Sequence, residues 1–458
     1  MDRLSALPDG LLHAVMSFLP ARQMAQTCVL SKRWVHLWRS VPSLNLDIRE
    51  FRNLSKEDDD DDDETWGKMK DFIANLLMFH HAPTLDTFTV CTGVVVQAAV
   101  GNRSRRNHRH NDINYHAVAD NRRRDVGRWI RGGIKYCPRV LDVAVAPSGS
   151  GCRPPPDLGS GSCCRRLERL RLSCFALDSG FARQVRDSCP VLRCLELHRC
   201  HIQFSHIESS TLNKLVIEGC IGCSLSLAIS APRLASLCLD LSYGAYKNGV
   251  SLNGLNSLVE ASVTLNVFQI SPEGEAMLLC GLFNVTNLEL EAIHAKLGGV
   301  LGAKLSAFGS AKGGGRERRK FYGCCNVNEK VILHEKFDKF SSFNNLRTLS
   351  LDDCFQGMGD LKEKFKALGR LLEKCPNLEK LTLQHCWFLS GSTQRAEIET
   401  RTSGLCLQSQ DQVTFHCQKL KLIEIKHDSE LCCDHQLFQL MWGFWKDLKK
   451  ATIILTKL

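Results

Sequence analysis

The sequence predicts a small all-α unit followed by an α/β solenoid with irregular repeats. Three observations carry this. In Met1 to Leu46, apolar residues recur at three- and four-residue steps between prolines, the period of short helices. From Leu170 onward a strand-sized Leu-x-Leu unit recurs, with first gaps of 25, 20, 22, 26 and 25 residues. Pro/Gly/Ser-rich and strongly charged stretches separate the periodic segments.

The N-terminal stretch begins with an extended Leu7-Pro8 step, since proline biases the residue before it away from the α region. Leu11, Leu12, Val15, Met16, Phe18 and Leu19 then predict a helix that is apolar over more than one stripe, ended by Pro20. A second short helix is expected from Arg22 to Val29. A third, with Ser31 as its N-cap, carries Trp34, Leu37 and Trp38 and is closed by Pro42. About 40 residues lie near the lower limit for independent folding. A unit this small holding two Trp and many Leu has more apolar surface than its own core can bury, which marks a partner-docking site or a cap on the next domain.

Beyond Leu46 comes the acidic block EDDDDDDE at 57–64, expected to be a solvated spacer. An amphipathic helix with Trp66, Met69, Phe72, Ile73, Leu76 and Leu77 follows, then an alternating strand from Leu85 to Val90. Residues 100–120 read as a loop, Arg122 to Tyr136 as a helix, Val140 to Val145 as a strand, and 147–162 as a loop. The Leu-x-Leu pairs are Leu170/Leu172, Leu195/Leu197, Leu215/Ile217, Leu237/Leu239, Val263/Leu265, Leu288/Leu290, Leu349/Leu351, Leu381/Leu383 and Ile423/Ile425. Four copies extend to L-x-x-L-x-L-x-x-C, closing at Cys200, Cys220, Cys354 and Cys386. Period and pattern are those of a leucine-rich repeat, in which stacked units form a parallel sheet over a continuous core. The paired aliphatic residues point inward. The closing Cys fills a small buried turn position. Later gaps of 61, 32 and 42 residues leave room for insertions such as GGGRERRK at 313–320.

Residues between the paired leucines face outward: Arg171, Glu196, Val216, Cys238, Thr264, Glu289, Ser350, Thr382 and Glu424. Their mixed character argues for a protein partner over a phosphate-reading surface. Arg171, Glu196, Glu289, Thr382 and Glu424 are the expected target-binding residues, with the following loops, such as His198-Arg199 and Gln384-His385.

LPDGLLHAVMSFLP followed by TCVLSKRWVHLW resembles the F-box of plant proteins over most of residues 4–46. The resemblance implies a three-helix unit that binds the Skp-type adaptor of a cullin-based ubiquitin ligase. On the family's pattern, Leu7, Pro8, Leu11, Leu12, Val15, Leu30, Ser31 and Trp34 are the adaptor-facing residues; Val15 stands where the family often has isoleucine. The C-terminal stretch resembles the terminal module of plant F-box proteins of the FBD group. It rests on a strand from Leu420 to Ile425, a helix around Leu437 to Phe444 and a last strand from Ala451 to Leu455. The expected organisation is an F-box at 1–46, an acidic linker at 47–64, a leucine-rich-repeat solenoid at 65–412 and an FBD-like cap at 413–458.

The 458 residues allow two or three domains, and 44% hydrophobic content is ample for a core. Twenty-three Cys without an apolar leader after Met1-Asp2-Arg3 predict reduced thiols in a cytosolic or nuclear protein. No run of 18 apolar residues occurs, so no membrane partner is expected. Cys220-Ile-Gly-Cys223 lacks a second clean pair, and Cys432-Cys433 with His435 does not supply one, so neither metal nor cofactor is expected. No P-loop, G-x-S-x-G or H-E-x-x-H string points to catalysis. The net charge of +10 includes nine Arg against three Asp in 102–131, a segment without aromatic interleaving or a nucleic-acid docking motif. The function that the F-box resemblance implies is a non-catalytic substrate receptor of a Skp–cullin–F-box ubiquitin ligase. The competing class is a repeat-based scaffold or nucleic-acid-associated protein.

Overall fold

Pro8 and Pro20 each end an extended step (φ −57°) and start a helix: α1, Asp9–Met16, and α2, Ala21–Gln26. A 3-10 turn, Thr27–Val29, extends α2; α3, Trp34–Leu37, runs into another, Trp38–Ser40. Arg33, and not Ser31 as expected, stands at the N-cap position of α3. The helix begins at Trp34, whose N–H donates to the Ser31 carbonyl at 3.0 Å. Proline offers no side-chain acceptor to the next turn, and at α2 the Glu50 carboxylate supplies one from afar, accepting from the Arg22 and Gln23 amides at 3.3 and 3.4 Å.

The structure is a computed structural model that describes residues 7–52, 62–93, 112–145, 153–158, 162–222, 226–243, 246, 248–266, 270–293, 342–352, 368–384, 417, 419–427 and 451–457. Two units divide the chain, 1–223 with 230–232 and 224–229 with 233–458.

In the first unit, among the described residues, the helical segment leads into six parallel strands of the main sheet: β1, Ser43–Asp47; β2, Thr87–Cys91; β3, Val140–Ala144; β4, Arg169–Ser173; β5, Cys194–His198; β6, Lys214–Glu218. Their register aligns Leu44, Phe88, Leu141, Leu170, Leu195 and Leu215 in one row. Leu46, Val90, Val143, Leu172, Leu197 and Ile217 form the next. Every member of both rows is buried, so the strands close one continuous apolar layer. At roughly 25 cal/mol per Å² of apolar surface removed from water, this layer is the main stabilising term of the unit. Helices α4, Asp62–Phe79, and α5, Asp112–Ile134, connect β1 to β2 and β2 to β3; Trp66 and Trp129 meet between them at 5.3 Å. Helix α6, Ser179–Ser188, starts where the Asp178 carboxylate accepts from Phe181 N–H at 2.9 Å.

Strands β4 to β6 end alike. Cys174, Arg199 and Gly219 stand two residues past the second inward aliphatic, and all have left-handed backbone (φ 66°, 51° and 60°). The Cys174 and Arg199 amides extend the ladder to the next strand before the chain turns. One residue later Cys200 and Cys220 are buried, and their thiols donate to the Leu172 and Leu197 carbonyls of the preceding strands at 3.5 and 3.3 Å. This is the small buried turn position expected from the pattern; Cys354 and Cys386 lie outside the described residues.

Among the described residues, the main sheet of the second unit has seven parallel strands: β7, Ser236–Asp240; β8, Glu260–Asn266; β9, Asn287–Ile293; β10, Thr348–Asp352; β11, Lys380–Gln384; β12, Leu422–His427; β13, Thr452–Lys457. Helix α7, Pro272–Gly281, lies between β8 and β9 and is capped by the Ser271 hydroxyl, which accepts from Gly274 N–H at 3.0 Å.

Several expectations change. The sheet begins at Ser43, inside the segment assigned to the helical unit. Residues 48–51 form a 3-10 turn with Ile48 and Phe51 buried, in place of the first part of a spacer. Residues 62–64 of the acidic block already belong to α4. Helix α5 starts at Asp112, ten residues before the expected helix at Arg122 and inside the expected loop. The pair opposite Leu237/Leu239 is Ala261/Val263, not Val263/Leu265; alternation inside a seven-residue strand fits either choice, and pairing decides. The remaining residues of the acidic block, the 313–320 insertion and the helix expected at 437–444 lie outside the described residues. Among the described residues, no helix is long and apolar enough to cross a membrane.

Candidate functional site

Two surfaces of the first unit and one of the second qualify. On the helical segment, Leu12, Met16, Ala21, Met24, Trp34, Leu37 and Val41 are buried and make its core. Leu12 and Trp34, expected to face a partner, are only 1% and 4% exposed: three short helices have few other residues with which to fill their centre. Leu11, Val15 and Leu30 are 54%, 54% and 58% exposed, Pro8 is exposed, and Leu7 and Ser31 are half-buried. Phe18 and Val29, which sequence reasoning did not single out as contacts, are 87% and 83% exposed. Leu11, Val15 and Phe18 stand at i, i+4 and i+7 and so share a flank of the α1 segment. An Arg33–Asp9 ion pair and a Ser40 Oγ to His13 Nε2 contact at 3.1 Å fix α3 and its 3-10 turn against α1.

The segment is tied rigidly to the sheet behind it. The His81 amide donates to the Arg39 carbonyl at 2.8 Å, and the Arg39 guanidinium lies over the Phe79 ring at 5.5 Å. His80 is buried edge-on against Tyr136 at 5.3 Å. Burial, with His81 adding, pulls its pKa down to about 4 against the weaker influence of the Trp38 backbone. Burial likewise raises the Glu50 carboxyl despite its hydrogen bonds to the α2 amides.

On the outward face of the first sheet, Arg171 and Glu196 are register neighbours joined at 3.7 Å. Glu196 also meets Lys214 at 3.8 Å and accepts from the Cys194 thiol at 3.3 Å. Its burial alone would raise the carboxyl; the thiol, Lys214, Arg171 and His198 together outweigh that and hold it below its usual value. Asp142, the register neighbour of Arg171 on the other side, is raised by burial. Glu196 is thus an ionised, anchored carboxylate, and His198 extends the row to Glu218 at 3.1 Å.

On the second sheet, Glu289, Ser350, Thr382 and Glu424 occupy one register row. Glu289 is exposed and accepts from the Ser262 hydroxyl at 3.0 Å. Glu424 is held ionised below its usual value, first by the Lys380 hydrogen bond, at 3.1 Å. Thr382, expected to be a contact residue, is 6% exposed with its hydroxyl turned to Glu424. It supports the row without presenting a surface. Among the described residues, no group of His, Cys, Asp and Glu is arranged to hold a metal ion.

The family model for the F-box domain matches residues 4–46. Over 438 residues the chain is 30% identical to MEIOTIC F-BOX protein MOF of Oryza sativa subsp. japonica, covering 93% of this chain and 80% of that protein. It is 38% identical over 426 residues to an F-box/LRR-repeat protein of Arabidopsis thaliana, covering 84% and 77%. An F-box/FBD/LRR-repeat protein of Arabidopsis thaliana is 29% identical over 250 residues, half of its own length.

Proposed function

This chain belongs to the family of F-box/LRR-repeat proteins, and from that premise we propose that it is the substrate-recognition subunit of a Skp–cullin–F-box ubiquitin ligase. The observation that carries this is the apolar surface left on the helical segment, with Phe18 and Val29 more than four-fifths exposed beside a closed core. A Skp-type adaptor would cover Leu7, Pro8, Leu11, Val15, Phe18, Val29, Leu30 and Ser31, while Leu12 and Trp34 hold the helices that present them. Cullin joins through the adaptor.

The parallel strands with matched aliphatic rows support reading the rest as a leucine-rich-repeat solenoid. Strand β13 continues the ladder of β12, which fits an FBD-like module at 413–458 closing its end. The outward rows, led by Arg171, Glu196, Glu289 and Glu424, would hold a target protein. The receptor performs no bond chemistry. It keeps target lysines near a conjugating enzyme supplied elsewhere in the complex, which raises their effective concentration. The free thiols of the described cysteines fit a cytosolic or nuclear setting.

Co-expression with adaptor and cullin tests the reading. A stoichiometric complex on size exclusion, with target ubiquitination on adding a charged conjugating enzyme, supports it. Recovery of the chain free of adaptor would refute it and favour the scaffold alternative.

A further inference from the structure

Helix α5 turns one charged face to solvent. From Asn121 to Lys135, the residue that follows the helix, the exposed positions are Asn121, Arg124, Arg128, Arg131 and Lys135. At about 100° per residue, the four cations fall within about 60° of arc. Asp125, Trp129, Ile130 and Gly133 stand on the opposite side and are buried, with Gly133 closing on the Phe88 ring. Arg128 reaches Asp125 at 3.7 Å, but that carboxylate also meets Lys70 at 3.6 Å and the Trp66 indole at 3.3 Å. Among the described residues, no carboxylate pairs with Arg124, Arg131 or Lys135. The charge continues into the next repeat. The Glu168 amide donates to the Arg139 carbonyl at 2.8 Å, which sets the 3-10 turn Ser162–Arg166 beside the turn that ends α5, and Arg165 and Arg166 are exposed there.

We propose that this face of α5, with Arg165 and Arg166 at its end, docks an extended run of aspartate and glutamate in a partner protein. Guanidinium groups grip carboxylates in planar, two-point fashion. Steps of four, three and four residues along a helix space the cations about 4.5–6 Å apart. Side chains on one face of an extended chain recur about every 6.6 Å, so an acidic run meets them nearly one to one. The described part of α5 exposes no aromatic side chain on which a base could stack, which disfavours a single-stranded nucleic acid. It exposes no apolar side chain to enter a bilayer either. Because α5 packs on Phe88 of the inward row, the stripe lies on the side of the first sheet away from the outward row. An acidic segment there leaves Arg171 and Glu196 free for a target.

Octaglutamate is the probe. Fluorescence anisotropy of the labelled peptide is measured against the full chain in about 0.15 M salt, where exposed charges are screened beyond about 8 Å. A saturable one-to-one isotherm is expected. Arg124→Gln/Arg131→Gln should weaken it about tenfold, as expected for losing two charge-assisted contacts. Arg183→Gln/Arg193→Gln removes the same net charge from exposed positions off the stripe and should change it less than about twofold. Should the first variant lose its fold, Lys135→Gln/Arg165→Gln carries the same comparison. A short DNA duplex should bind more weakly than the peptide. No binding, or equal losses in the stripe and control variants, overturns the proposal. Tighter binding of the duplex also overturns it, in favour of nucleic acid. So does binding that emerges only after deletion of residues 57–61, since the chain's own acidic block would then be the occupant.

Discussion

Gly133 gives the sharpest test of how α5 sits on the first sheet. A Cβ built there would lie 2.1, 2.3 and 2.4 Å from three ring carbons of Phe88. Carbon pairs settle at about 3.5–4.0 Å, so ring or helix must shift by more than about 1 Å. Phe88 is fully buried between Leu44 and Leu141 of its row, and the ring has no space to swing into. Gly133→Ala gains about 1 kcal/mol of helix propensity but incurs an overpacking cost of about 1–3 kcal/mol or more. Gly127, six residues earlier on α5, is the control: its Cβ would meet only Arg131 Nη1, at 3.8 Å. Gly127→Ala should therefore stabilise by up to about 1 kcal/mol. The propensity gain cancels between the two, so their difference isolates the clash. Urea denaturation of both variants, read by tryptophan fluorescence, should place Gly133→Ala below wild type and Gly127→Ala at or above it. Equal midpoints would refute the packing of α5 on β2.

Leu195→Ala should cost about 2–5 kcal/mol in the same assay, and Glu196→Ala much less, because one is buried in the apolar row and the other faces out; the reverse order would put the strand register in error. His80 predicts an acid-sensitive first unit. Its folded pKa of about 4 lies below the ordinary 6.5, so the unfolded chain takes up the proton first, and stability present above pH 6.5 is lost as pH falls towards 4. At about 1.4 kcal/mol per unit the loss reaches about 3 kcal/mol, and His80→Gln should flatten the stability profile between pH 6.5 and 4. Charge reversal at Glu196 and Glu289 should abolish target capture in a proximity-labelling experiment while adaptor binding persists; undiminished capture would move the target site off the outward rows.

Much of this was legible because burial leaves a period. Every Leu-x-Leu pair from Leu170 to Ile425 is buried, apart from the one-step choice at β8. The first three strands of the sheet escaped the pattern. Their inward pairs, Leu44/Leu46, Phe88/Val90 and Leu141/Val143, are separated by long helical connections, so the spacing does not repeat. The start of α5 at Asp112 is hidden in the sequence because it follows directly on the polar run at 102–111, and Ile113, Tyr115 and Val118 in its first ten residues do not recur at a helical three- and four-residue step. On the docking surface the sequence shows that Leu11, Leu12, Val15, Phe18, Val29 and Trp34 are apolar but not which of them the segment keeps for itself. With a helix apolar over more than one stripe, only packing assigns Leu12 and Met16 inward and Val15 and Phe18 outward. The charged row was legible residue by residue. The thiol of Cys194, which helps hold Glu196 ionised, was not, since it depends on side chains two residues apart on one face of a strand.

The measurement that bears most directly on the receptor reading is adaptor affinity of the double variant Val15→Ala/Phe18→Ala, taken with its unfolding curve. Both side chains are more than half exposed, so stability should stay within about 0.5 kcal/mol of wild type. Truncating central anchors of an interface costs about 2 kcal/mol or more, which predicts a roughly thirtyfold loss in affinity for the Skp-type adaptor by isothermal titration. Leu12→Ala should do the opposite, lowering stability first. Wild-type adaptor affinity in a folded Val15→Ala/Phe18→Ala protein would contradict the account.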